Sequence, residues 1–257
     1  MKYGIFGASG AVGQALGFEM PPGTRFAVVG RSEDRLRREF SRFEPNVEYR
    51  VADLSDPDAA RKAAEGIETL IYTVGVPYTQ FEMHPRLTRV ALEAAASAGV
   101  QRYVHVSTVY PYGRPQKTRV DEFHPREPHT FKGRMRKEQE DLVLAANGRD
   151  GMRTTLVRPP DFYGPRVEAS FVKSIFDAAM SGGRAKVIGP IDTPHEFIFV
   201  PDLARVILAL ADKPDAYGQP WNIAGPRPTT TREFAKLVYG ALGKKPKLMV
   251  AGGLMLR

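Results

Sequence analysis

GIFGASGAVGQAL, residues 4–16, places Gly7, Gly10 and Gly13 directly after a short apolar run and at the start of a helical pattern. A glycine-rich strand-to-helix turn lets backbone approach a diphosphate, and the helix beyond it offers unpaired N–H groups. The string G-x-x-G-x-x-G is weak evidence alone. Its place at the head of a β-α-β unit makes it strong, against the bland reading of three glycines in ordinary turns.

Downstream of this turn the pattern repeats. Short runs rich in apolar, β-branched or aromatic residues at 2–6, 25–29, 47–52, 69–72, 102–106 and 153–157 predict strands. Helical periodicity fills the intervals at 11–19, 33–40, 57–64, 85–98 and 131–146. This alternation predicts an α/β fold, a doubly wound parallel sheet with helices on both faces. After Pro160 shorter elements follow: a helix near 170–180, strands near 185–188 and 196–199, a helix from about Asp202, a strand at WNIAG, and a helix capped by a Thr and ended by Gly243. The apolar tail KLMVAGGLMLR reads as an incomplete last helix or a truncated chain.

Composition narrows the function classes. The 257 residues, 42% hydrophobic and 26% charged, describe a globular chain able to bury a core. Cysteine is absent, which excludes disulfides and thiolate metal sites. No histidine spacing suggests a metal centre, and no run approaches the roughly 18 apolar residues of a membrane span. The first residues lead straight into the glycine turn rather than a signal peptide, so a cytoplasmic protein is expected. A net charge of +8 would suit nucleic acid or an anionic cofactor. Without any nucleic-acid-binding motif, the cofactor is the expected partner.

The second strand leads into VVGRS, residues 28–32. NAD binders place a carboxylate about here to bond the ribose hydroxyls. Gly30 and Arg31 stand in its place, with Arg35 one turn on, and a forked cation suits a 2′-phosphate. NADP is expected rather than NAD. Asp53 could accept from the adenine amino group with Leu54 against the ring, or Asp53 could serve the turn into the next helix. Gly75, in TVGVPY, stands where backbone would pass close to the cofactor.

RYVHVSTVYPYG, LVRPPDFYGP, HEFIFVPDLARVILAL and PWNIAGP join the glycine turn in one ordered pattern. Together they resemble the extended short-chain dehydrogenase/reductases, the NAD(P)-dependent epimerase/dehydratase family. The resemblance implies a Rossmann domain over 1–158, with 195–224 returning to it, and a small substrate lobe over 159–194 and 225–257. It also implies a small-molecule substrate and a homodimer. Thr108 matches the family's active-site Ser/Thr, and Pro159 lies in the segment that runs along the nicotinamide.

The family's acid/base unit, Tyr-x-x-x-Lys, is missing: none of the ten tyrosines has lysine four residues on. Alignment on the helix puts Lys132 at the tyrosine and Arg136 at the lysine. Both sit in HTFKGRMRKEQEDL, residues 129–142, where four cations crowd the positive end of a helix. One expectation is an NADP-dependent enzyme in which Thr108 holds an oxygen, Lys132 supplies a proton and Arg136 fixes cofactor or substrate. Tyr110, Tyr112 or Tyr163 could substitute as the acid. The alternative is a cofactor-binding sensor without hydride chemistry.

Overall fold

The computed structural model describes residues 1–168 and 170–251. In chain order the elements are β1 (Tyr3–Phe6), α1 (Ala11–Glu19), β2 (Phe26–Gly30), α2 (Glu33–Phe40), β3 (Val47–Val51), α3 (Pro57–Ala64), β4 (Thr69–Tyr72), α4 (Met83–Ser97), β5 (Arg102–Val106), α5 (Phe131–Ala145) and β6 (Arg153–Arg158). They continue as β7 (Asp161–Tyr163), α6 (Lys173–Ser181), β8 (Ala185–Ile188), β9 (Pro194–His195), β10 (Phe197–Phe199), α7 (Val200–Ala211), β11 (Pro220–Asn222), β12 (Thr229–Thr230), α8 (Thr231–Gly240) and β13 (Leu248–Ala251).

Seven strands form one parallel sheet in the order β11-β6-β5-β4-β1-β2-β3. The expected doubly wound fold is present. The central strands β1, β2 and β4 are apolar and buried along almost their whole length because helices cover them on both sides. Ala60 and Ala64 of α3, Leu87, Ala91 and Ala95 of α4, and Val143 of α5 bury one face over Phe6, Leu70, Tyr72 and Tyr103. Alternate strand residues, such as Tyr3 and Ile5, point the other way. There Tyr3 donates from its hydroxyl to Asp212 just beyond α7. Helix starts follow local chemistry: Asp56 caps α3 by accepting from the amides of Asp58 and Ala59, with Pro57 at the first position.

The chain divides into two compact units, Met1–Pro159 with Pro201–Ile223, and Pro160–Val200 with the residues from Ala224 on. Residues 195–200 go with the second unit rather than returning to the first. His195 pairs with Thr229, and β10 runs parallel to β7. The second unit has its own core, in which Ile175, Ala179, Val187, Phe197, Phe234 and Tyr239 are buried. The tail departs from the expected helix. Leu248–Ala251 is a strand parallel to β8, and residues 252–257 lie outside the described chain.

His105 and His84 are among the buried imidazoles of the first unit. His105 is fully buried in β5, stacked 4.9 Å from the Tyr72 ring, and His84 is 1% exposed in α4. Burial, with the Arg136 charge nearby, pushes both down to about 3 from the ordinary 6.5. Below pH 6.5 the unfolded chain takes up protons that the folded chain refuses, so stability falls with pH through the window from 6.5 towards 3. The loss is roughly 1.4 kcal/mol per pH unit for each histidine. Urea midpoints at pH 7 and pH 5 check this. His105→Phe keeps the stack and should remove about half of the acid loss; an undiminished loss would contradict the assignment.

Candidate functional site

The strand order reverses between β1 and β4, and doubly wound sheets bind ligands at that switch point, beyond the carboxyl ends of the strands. The glycine turn lies there. Gly7 has φ +84°, and a Cβ on it would meet Val74 N and Cα at 2.9 Å. A Cβ on Gly13 would lie 2.6 Å from Ala8 Cα, so α1 starts flush against the turn. Thr73, just past β4, donates from its hydroxyl to Phe6 O at 2.9 Å and to Gly7 O at 3.2 Å, tying the two loops together. Gly10 caps α1 without any side-chain hydrogen bond. The first amides of α1 thus receive no side-chain cap, and the bare glycine cradle has the chemistry to fit a dinucleotide's diphosphate. Gly75 borders open space, where a Cβ would meet nothing within 4 Å.

At the end of β2 the two arginines are exposed. Arg35 reaches back to the turn, its NH2 donating to Ser9 O at 3.2 Å. Asp53 takes up its turn: Oδ1 accepts from the Ser55 amide at 2.9 Å and the Ser55 hydroxyl at 2.8 Å. These bonds, helped by the Arg31 charge, hold its carboxyl below the usual carboxylate range. Leu54 is 8% exposed and packs into the core with Phe6, Val29 and Ala60.

Past β5, the Thr108 hydroxyl accepts from the Tyr110 amide at 3.1 Å. That turn is pressed against the head of α5. A Cβ on Gly133 would lie 2.9 Å from Tyr110 O. The four cations there are each engaged. Lys132 Nζ stands 3.9 Å above the Tyr78 ring and 5.5 Å from that of Phe81. Arg134 donates to His129 O at 3.2 Å and Lys137 to Asp141 at 2.7 Å. Arg136 turns inward, NH1 donating to Gln139 Oε1 at 2.7 Å, and burial pushes its guanidinium down to about 10. The helix tolerates the charges because Thr130 accepts from the Gly133 amide and because aromatic faces, carbonyls and a carboxylate face them.

Beneath this surface lies a network that the sequence reading did not single out. Glu140 is fully buried and Arg158 is 1% exposed. Arg158 donates to Glu140 through Nε at 2.8 Å and NH2 at 2.7 Å. Ser107 donates to Oε1 at 2.6 Å and Arg126 to Oε2 at 3.1 Å. Arg158 NH1 continues to Tyr112 OH at 2.7 Å, which in turn donates to Asn222 Oδ1 at 2.7 Å. Thr108 therefore follows a residue locked to the same helix that carries Lys132, and Pro159 follows the arginine of the lock. Glu140 is the acidic residue on which α5 aligns with the resembled family, whereas its partners Ser107, Arg126 and Arg158 leave no signal in the spacing.

Among known proteins, residues 4–224 match the NAD dependent epimerase/dehydratase family. The chain is 26% identical over 230 residues to 3beta-hydroxysteroid-dehydrogenase/decarboxylase isoform 2 of Arabidopsis thaliana, covering 82% of this chain and 40% of that protein. It is 29% identical over 229 residues to a 3 beta-hydroxysteroid dehydrogenase/Delta 5-->4-isomerase of Mycobacterium tuberculosis, covering 81% and 62%. It thus spans about half the length of these relatives. In fold it is similar to the dTDP-glucose 4,6-dehydratase of Bacillus anthracis in complex with NAD, at TM-score 0.86 and 16% identity, covering 98% of this chain and 85% of that one. It is likewise similar to the UDP-glucuronic acid 4-epimerase of Bacillus cereus in complex with NAD, at TM-score 0.85 and 18% identity, covering 98% and 87%. With the glycine turn, the sheet order and the match over most of its length in agreement, this chain belongs to the NAD dependent epimerase/dehydratase family.

Proposed function

We propose that the chain is an NADP-dependent oxidoreductase acting on a carbonyl or alcohol carbon of a small molecule. The observation that carries this reading is the bare N-terminus of α1 behind the glycine turn, flanked by Arg31 and Arg35 where an NAD binder would have a carboxylate. The turn would hold the diphosphate, Arg31 and Arg35 the 2′-phosphate, and Pro159 would lie along the nicotinamide. Asp53 and Leu54 would border the adenine, Asp53 through what its turn leaves available and Leu54 from within the core. The two structural neighbours named above hold NAD; in this chain the cation at Arg31 favours the phosphorylated dinucleotide.

The dinucleotide, when bound, supplies or accepts the hydride. Thr108 would hold the reacting oxygen by hydrogen bond. Lys132 and Arg136 would offset the negative charge that develops on that oxygen, a form of stabilisation that preorganised charges provide. The face-on position of Lys132 over Tyr78 favours a fixed charge over a freely presented proton. The hydroxysteroid relatives make a cyclic secondary alcohol or its ketone a fitting substrate class.

Lys132→Ala should lower turnover by about 10²-fold or more, read as kcat on the best substrate of a carbonyl panel. Unchanged turnover would remove Lys132 from the chemistry. The missing Tyr-x-x-x-Lys favours one other reading, an NADP(H) sensor, which predicts tight NADPH binding by calorimetry and no NADPH oxidation with any panel member.

A further inference from the structure

We propose that Tyr78 is the proton donor of this site, taking from the loop after β4 the role that the family places on α5; the assignment rests on the reductase reading above. Tyr78 begins the short 3-10 turn Tyr78–Gln80 that follows the β4 exit segment, on the carboxyl side of the sheet. Two neighbours pack against its ring. Phe81, 5% exposed, stacks on it at 5.4 Å, and Lys132 Nζ stands over its face at 3.9 Å. Phe81 is itself held edge-on against buried His84 at 4.8 Å. The ring is positioned while the residue remains 54% exposed, so the phenol can reach a ligand. Arg136 adds a second positive charge within electrostatic range of the same phenol.

The other tyrosines of the first unit are poorer donors. Tyr72 and Tyr103 are fully buried, and burial pushes the Tyr72 phenol up to about 12. The Tyr112 hydroxyl is spent on Asn222 and Arg158. Burial and Glu44 hold Tyr49 up at about 12, and Tyr3 and Tyr217 are raised further, first by burial. Tyr110 is the rival. It lies in the turn against Gly133 and within range of Arg136, so Tyr110→Phe is the control that separates the two.

In the reductive direction, hydride from the nicotinamide dinucleotide adds to the carbonyl carbon and the C=O π pair moves to oxygen. The O–H bond of Tyr78 breaks and its proton passes to that oxygen, giving the alcohol. The pair left on the phenolate oxygen is held by Lys132 and Arg136 until water returns a proton. Two cations stand beside one phenol, the phenol contributed by the loop after β4 and both cations by α5.

Tyr78→Phe tests the hydroxyl alone, because the ring that carries Lys132 and Phe81 is kept. With NADPH and the carbonyl panel, kcat should fall by about 10²-fold or more, with KM, NADPH affinity by calorimetry and melting temperature unchanged. Tyr78→Phe/Lys132→Ala should be little worse than either single variant, as expected for groups acting as a unit. Wild-type kcat in Tyr78→Phe, or the same loss in Tyr110→Phe with Tyr78→Phe active, overturns the assignment while leaving the reductase reading intact. A wild-type protein that binds NADPH and reduces no carbonyl in the panel overturns both together.

Discussion

Glu140→Ala is expected to cost about 3–5 kcal/mol of stability, the largest effect of any single change considered. The carboxylate accepts from Ser107, from two nitrogens of Arg158 and from Arg126. Removing it strands the Arg158 guanidinium, 1% exposed, with Tyr112 OH as its one remaining side-chain partner among the described residues. An unpaired buried charge is what makes a broken buried ion pair expensive; the intact pair itself adds little over a well-packed apolar pair. For a chain of this size each kcal/mol moves the melting temperature by roughly 2–4 °C, so a fall of about 10 °C should be seen by thermal denaturation. Glu140→Gln keeps the shape and one acceptor and should lose less. An alanine variant melting with the wild type would show that the network is not carrying the fold there. A second readout follows from connectivity: turnover of the folded variant should drop too, because Ser107 fixes the backbone from which Thr108 projects.

Reversing the charge at Arg31 should have the largest effect on ligand choice. If Arg31 grips the 2′-phosphate, Arg31→Glu loses a charge-assisted bond of about 1.5–3 kcal/mol and adds repulsion, so NADPH affinity should fall by about 10²-fold. NADH, which lacks the phosphate, should bind much as before or slightly better. The change would leave the glycine turn untouched, since Arg35, not Arg31, bonds to Ser9 O. Equal NADPH and NADH affinities in the wild type, unaltered in the variant, would end the NADP assignment.

The parallel sheet and most of its helices can be read from the chain because their signals are local. Helices α1, α2 and α3 begin and end where the sequence places them, with Ser32, Asp56 and Pro57 marking two of the starts. The start of α4 falls at Met83 rather than at Pro85, since proline fits a first turn and does not have to open it. The tail failed for a different reason. Four apolar residues at 248–251 carry no period that separates strand from helix, and pairing with β8, distant in sequence, decides. The same limit governed the site. Gly7, Gly13 and the Thr73 staple meet at one switch point whose glycine half was legible, whereas Tyr78 beneath Lys132 was not, because nothing in the spacing of the loop after β4 and helix α5, with α4 and β5 between them, says that they touch. Arg158 was hidden too, looking like an ordinary strand-end residue until Glu140 faced it.

The first unit is discontinuous, and that bears on its assembly. Its seventh strand, β11, joins β6 through Pro220, Trp221 and Asn222, all encoded after the second unit's opening segment. A nascent polypeptide emerged only as far as Pro159 would expose the open edge of β6, with Tyr112 and Arg158 still lacking Asn222. Exposed edges invite pairing with other chains, so ribosome-bound intermediates of this length should be the aggregation-prone ones, and a chain interrupted there should be rescued by supplying 201–223 as a separate peptide.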